Sequence, residues 1–300
     1  MKQLFFRLST VLLVILAFSF QSKGADKYEW KYNLEKGKTY KQNTVMDMTM
    51  KMDAMGQKIV MGTKTETNIN YSVVEQNTDG YSIQMTYQKI KVSTNLPTAM
   101  TIDSDSPENS SDPELAGAFK SMIGIPVDIQ LTQMGKVISI NGVDKLVEKM
   151  NSISNEQMKQ MFSALFTEKT IKAALEQVSN YFPGKPVSIG ESWNVNSTVN
   201  TGSFDVISKM TLTLKEVKDN IATLDCKSVL STPEGGAAFN VQGMDANVTM
   251  NGEQSGNIKM NMKTGWVVGA EFTQNSTNNI EVMGQTMPQE IEVKSTITAE

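Results

Sequence analysis

Between residues 39 and 298 apolar and polar side chains alternate along most of the chain. This two-residue period puts successive side chains on opposite faces of a half-buried strand and limits the fold to extended structure. Candidate strands cover roughly 39–53, 57–75, 80–93, 125–133, 136–141, 192–200, 204–218, 220–231, 238–251, 256–263, 265–276, 278–283 and 289–298. Turn formers separate them, as in Asn77-Thr78-Asp79-Gly80, Met134-Gly135-Lys136, Lys218-Asp219-Asn220 and Thr264-Gly265. Connections this short can only join antiparallel neighbours.

One stretch departs from that period. Val143, Leu146, Val147 and Met150, then Met158, Met161, Phe162 and Leu165, then Ile171, Ala174, Leu175 and Val178 recur at spacings of three and four. That is the helical period. Ser154 with Gln157 has the form of a capping box, Thr167 can cap a later helix, and Pro183-Gly184 ends the segment. The expected class is therefore α+β, predominantly antiparallel β. Two related β-rich halves, 25–142 and 184–300, form a sheet pair or partly closed barrel. Two or three helices at about 143–182 pack on one face, and 25–300 makes one structural domain. The halves echo each other. Gly37-Lys38-Thr39-Tyr40 opens the first, Gly190-Glu191-Ser192-Trp193 opens the second, and Met55-Gly56-Gln57 has a counterpart in Met283-Gly284-Gln285.

The first residues carry a different signal. Lys2 and Arg7 flank a basic start, an apolar run spans Leu8 to Phe20, and Ser22 and Gly24 are small residues beyond it. Such a segment reads as a signal peptide over 1–24; its thirteen-residue apolar run is too short to span a bilayer. The expected address is periplasmic or secreted. No cysteine lies near the cut, so lipid attachment of the lipoprotein kind is not expected. Losing Lys2, Arg7 and Lys23 from 28 basic residues, against 32 acidic ones, moves the net charge from −4 to −7. An acidic chain of this kind is a poor partner for nucleic acid, whose phosphates need a positive face.

Composition removes several chemistries. With no histidine, serine–histidine and cysteine–histidine hydrolysis and histidine-ligated zinc are excluded. The single cysteine, Cys226, shares a strand face with Ala222, Leu224 and Leu230 and reads as a small buried residue rather than a reactive thiol. The chain is expected to be no enzyme, with no catalytic residues, metal or cofactor, although paired carboxylates alone could support glycoside chemistry. In the acidic stretch Ile102–Pro113, Asp103 and Asp105 sit at alternate positions. The glycine and closing glutamate of a calcium loop are missing, so a solvated mobile connector is expected there.

Methionine is the unusual feature, at 21 residues. Met46, Met48, Met50 and Met52 fall on one face of a strand, and Met260 and Met262 repeat the pattern. Three readings compete: a solid core face, a soft wall around an apolar ligand, and a Cu(I) site of Met-x-Met segments. In the second, these six methionines form the wall while Met158, Met161, Phe162 and Leu165 form a cover. Trp193, Trp266, Phe272, Tyr81 and Tyr87 have core parity.

Phe182-Pro183-Gly184-Lys185-Pro186-Val187 leading into Gly190-Glu191-Ser192-Trp193, with Gly37-Lys38-Thr39-Tyr40 near the mature start, resembles a family of exported bacterial β-rich proteins of unknown function. The resemblance implies a β-rich first half, a helical middle and a Gly-x-x-Trp start to the second half. It brings no catalytic residue. In architecture alone, a sheet with helices across one face is also similar to the lipoprotein-carrier half-barrels. The expected function is an envelope protein binding an apolar, lipid-like molecule between sheet and helices. The alternatives are a structural or protein-interaction module without a ligand, and Cu(I) binding.

Overall fold

The hairpin at Lys218–Ile221 sets the pattern of the computed structural model, which describes residues 26–54, 57–95, 98–156, 159, 163, 166–179, 181–200, 204–241, 244–282 and 284–300. Asp219 and Asn220 both take positive φ, 51° and 63°, as a two-residue turn between right-twisted strands requires. Thirteen strands follow in chain order. They are β1 (Thr39–Ala54), β2 (Gln57–Gln76), β3 (Gly80–Thr94), β4 (Met100–Asp103), β5 (Val127–Thr132), β6 (Val137–Asn141) and β7 (Ser192–Asn200), then β8 (Asp205–Lys218), β9 (Ile221–Ser231), β10 (Ala237–Val241), β11 (Met244–Asn261), β12 (Trp266–Val282) and β13 (Gln285–Ala299). They form one antiparallel sheet in the order β6-β5-β3-β2-β1-β13-β12-β11-β9-β8-β7, with β4 on β3 and β10 on β11. The first and last strands meet in the middle, from Gln42 opposite Ala299 to Met52 opposite Gln289.

Among the described residues three α-helices accompany the sheet: α1 (Pro113–Met122), α2 (Val143–Met150) and α3 (Glu168–Ser179). Thr167 caps α3, accepting from the Thr170 N–H at 3.1 Å while Thr170 Oγ1 accepts from the Thr167 N–H at 3.0 Å. The sheet does not close. Its edge strands β6 and β7 both lie against α3, and the Glu176 carboxylate accepts the Val137 N–H of β6 at 3.2 Å. The helix thus covers a sheet edge that would otherwise leave backbone groups unpaired. Residues 26–34 run extended across the inner face, where Trp30, Tyr32 and Leu34 are buried and the intervening residues are exposed. Tyr32 donates its N–H to the Gln133 carbonyl and Asn33 to that of Thr264, both at 2.9 Å.

Those two turns occupy equivalent places, because the halves share one topology. Gly37 and Gly190 both have positive φ, 82° and 91°. Each precedes a strand whose first hydroxyl pairs across the sheet at 2.8 Å, Thr39 with Ser72 and Ser192 with Thr213. Register shifts recur at matching points, between Val73 and Glu75 and between Leu214 and Glu216, then between Gln130 and Leu131 and between Lys259 and Met260. Two coincident pairs of register shifts are more than hairpin geometry demands and mark the halves as related units, although the shift between Asn68 and Ile69 has no counterpart in the second half.

Several expectations need correction. The stretch 102–113 is structured rather than a mobile connector. Ser104 is buried, Asp112 caps α1 through the Leu115 N–H at 3.0 Å, and Asp103 and Asp105 are held by Lys91 and Lys89, each at 3.1 Å. Burial disfavours the charge on Asp103, but the Asp105 N–H and the Lys91 ammonium hold its carboxyl below the usual range. Helix α1, outside the expected 143–182, buries Leu115, Phe119 and Met122. The segments expected as 238–251 and 256–263 are instead β10 and one continuous β11, and those expected as 265–276 and 278–283 fall in the single β12, Trp266–Val282. Glycine does not break β11 at Gly256 because the Phe272 side chain lies over it. A Cβ there would come within 2.1 Å of the Glu271 carbonyl oxygen and 2.6 Å of Phe272 Cδ1. Met55, Gly56 and Met283, part of the expected Met-Gly-Gln echo, lie outside the described residues.

Candidate ligand-binding cavity

Helix α3 packs its apolar stripe toward the inner face of the first half but does not fill the space beneath it. A cavity of about 240 Å³ remains. Ile171 and Leu175 supply its helical side; Ile69 and Tyr71 of β2, Ile83, Met85 and Tyr87 of β3, and Ile129 and Leu131 of β5 supply its floor. Trp266 and Ile297 close it from β12 and β13. These positions share a face because each strand presents every second residue inward. Ala174 lines the cavity and is also exposed, so an opening runs along α3.

Aromatic rings build one end. Trp266 lies 4.8 Å from Tyr40 and 5.3 Å from Tyr71 between ring centroids, and Tyr32 meets Phe182 edge-on at 5.0 Å. The Tyr81 hydroxyl is committed to backbone, donating to the Tyr32 carbonyl at 3.0 Å and accepting from the Leu34 N–H at 3.3 Å. By contrast, the hydroxyls of Tyr32, Tyr71, Tyr87 and Tyr181, all on the lining, make no hydrogen bond among the described residues. Burial pushes all four phenols above their ordinary range, Tyr87 to about 12. Neighbouring phenols add to this at Tyr71, beside Tyr87 and Tyr32. None is ionised near neutral pH.

The sequence-predicted site residues lie as follows. Met46, Met48, Met50 and Met52 share the inward face of β1 with Tyr40 and the cavity-lining Gln42, but lie further along the strand and are half-buried. Met50 stands directly opposite Met61 of β2, and Met48 opposite Val293 of β13. Among the described residues the cavity lining contains none of these four. Met260 is fully buried in the core and Met262 packs half-buried against it. Met158, Met161, Phe162 and Leu165 lie outside the described residues.

Sequence reasoning missed Tyr32, Tyr71, Tyr181 and Met85 as lining. The alternation of Trp30, Tyr32 and Leu34 was a readable signal for the first of these. Trp193, Trp266, Phe272 and Tyr81 are buried, as their parity indicated, and Tyr87 packs against the core. The Cys226 thiol is buried, and burial with the nearby Asp225 charge pushes it up to about 12, which removes nucleophilic character. Among the described residues no cluster of three or more His, Cys, Asp or Glu side chains could hold a metal ion, and no helix is long and apolar enough to cross a membrane.

No curated protein sequence matches the chain. A structure described as lipid–protein interactions in lipovitellin matches with 11% identity and a TM-score of 0.48, over 89% of this chain and 25% of that one. The chain thus spans about a quarter of the lipovitellin chain. DynF from the dynemicin biosynthesis pathway of Micromonospora chersina matches with 6% identity and a TM-score of 0.25, over 92% of this chain and 86% of that one. OccK2 (OpdF) of Pseudomonas aeruginosa matches with 5% identity and a TM-score of 0.25, over 88% and 98%. Likenesses at these scores carry no argument about function. A family model matches residues 78–267, from the β2–β3 turn through the start of β12. The chain therefore belongs to the family of unknown function DUF6263.

Proposed function

We propose that the protein is an exported, non-enzymatic component of the cell envelope that holds an apolar or amphiphilic, lipid-like molecule beneath α3. One observation carries this reading: an apolar cavity of about 240 Å³ between the helix and the inner face of the sheet. Water at liquid density takes about 30 Å³ per molecule, so the space suits a small ring or one short acyl segment rather than a whole phospholipid. In this reading the inward face carrying Met46, Met48, Met50 and Met52 continues from the cavity and receives whatever projects beyond it. Unbranched thioethers can re-pack around such a guest. The lack of histidine and the buried neutral thiol of Cys226 favour binding over catalysis.

Native mass spectrometry of protein purified from its own host tests the proposal. The expected result is a co-purifying small molecule that Ala174→Trp excludes, since an indole at that position blocks the opening along α3. Absence of any adduct, together with failure to take up toluene or octan-1-ol, would leave the envelope-module reading. For export, N-terminal sequencing of protein recovered outside the cytoplasm should begin at residue 25 or 26; a start at Met1 would overturn it.

A further inference from the structure

Within the proposed cavity the wall chemistry selects among ligands. Of the described residues lining it, none is Lys, Arg, Asp or Glu. Yet Tyr32, Tyr71 and Tyr181, all more than nine-tenths buried, and the half-buried Tyr87 bring four phenolic hydroxyls to a mostly aliphatic and aromatic surface whose other polar side chains are Gln42 and Thr170. None of the four has a hydrogen-bond partner among the described residues.

Phenylalanine would fill the same wall with no polar atom to satisfy, and a buried hydroxyl left alone is unfavourable. The related half shows that the fold does not need phenols here. The position matching Tyr71 is Leu212, and that matching Tyr87 is Ser228, whose hydroxyl is already paired with Ser208 at 2.8 Å. A charged headgroup would lose its water in this cavity and meet no counter-ion. A neutral oxygen loses far less and can accept from phenols, and a hydroxyl or protonated acid can also donate to them.

We infer that the cavity takes an uncharged amphiphile whose single polar group, a hydroxyl, ester or protonated acid, hydrogen-bonds the phenols of Tyr71, Tyr87 and Tyr32, and that it discriminates against charged amphiphiles of the same chain length. This rests on the proposed function, because it presumes that the cavity is used.

Tryptophan-fluorescence titrations with octan-1-ol, octanoate, octylammonium and toluene at neutral pH test both levels. Octan-1-ol is expected to bind at least about tenfold tighter than octanoate or octylammonium. Tyr71→Phe with Tyr87→Phe should weaken octan-1-ol about fivefold while leaving toluene unchanged. Retained toluene binding also shows that the variant is folded. If octanoate binds as tightly as octan-1-ol, or the double variant leaves octan-1-ol unaffected, the selectivity inference fails and the cavity reading stands. If neither octan-1-ol nor toluene binds, the cavity reading itself fails.

Discussion

The two halves of the sheet run the same meander and share two register shifts, yet the strands of the first half border a cavity where the matching strands of the second are filled. Where the first half carries Tyr71, Met85 and Leu131 on the cavity wall, the second carries Leu212, Cys226 and Met260, each with no exposed surface. The exchange also works by size across neighbouring strands. Val127 stands beside Gly142 in the first half, whereas Gly256 stands opposite Phe272 in the second. One backbone plan therefore tolerates either a sealed core or a recess, and side-chain volume decides which. What the recess has in addition is α3, a helix placed over it rather than a side chain placed in it.

Paired substitutions can break that contrast. Leu224→Ala, in the filled half, should cost about 4 kcal/mol, whereas Ile83→Ala at the matching position beside the cavity should cost about 2, because fewer neighbours surround it. Equal losses in urea unfolding would mean that the halves are packed alike. Next, Gly256→Ala should destabilise by about 2–3 kcal/mol, since the new methyl meets the Glu271 carbonyl, while Gly269→Ala on β12, with 3.7 Å of clearance, should be near neutral. The tyrosine-rich half should also make the protein alkali-sensitive. Phenols whose native pKa lies above 10.0 keep their protons in the folded state while the unfolded chain loses them, so stability is complete below about pH 10 and falls as pH rises past it. Tyr71→Phe should recover about 1 kcal/mol at pH 11, read as a raised thermal midpoint relative to wild type at that pH. Smallest of all, Thr39→Val and Ser192→Ala should each cost only about 0.5 kcal/mol and by matching amounts, because the two hydroxyl pairs are equivalent and exposed. A large gap between them would weaken the kinship of the halves.

The sheet was legible because period two survives wherever one strand face is buried. β1, β2, β3, β7, β8 and β9 fall within a residue or two of where alternation places them. The breaks expected within β11 and β12 reflect glycine and asparagine, which read locally as turns but here serve close approach and inward polar positions such as Asn278. Helix α1 carried a readable start, Asp112 before Pro113, yet its short apolar run follows an acidic stretch that reads as connector. The cavity was the least legible part. Methionine spacing located the inward face, but which portion of that face lies beneath α3 depends on how the sheet curls across residues far apart in the chain. No local pattern places Tyr71 next to Trp266.

The meeting of β1 with β13 at the centre of the sheet has a cost in time. Gln42 and Ala299 are partners, so the two halves cannot be stitched until the ribosome has delivered nearly everything described in this structure. Until then β1 offers a raw margin of backbone donors and acceptors to any neighbour, the condition from which aggregates start. Shortening the chain before residue 285 should therefore yield sticky, poorly soluble halves rather than a smaller working protein.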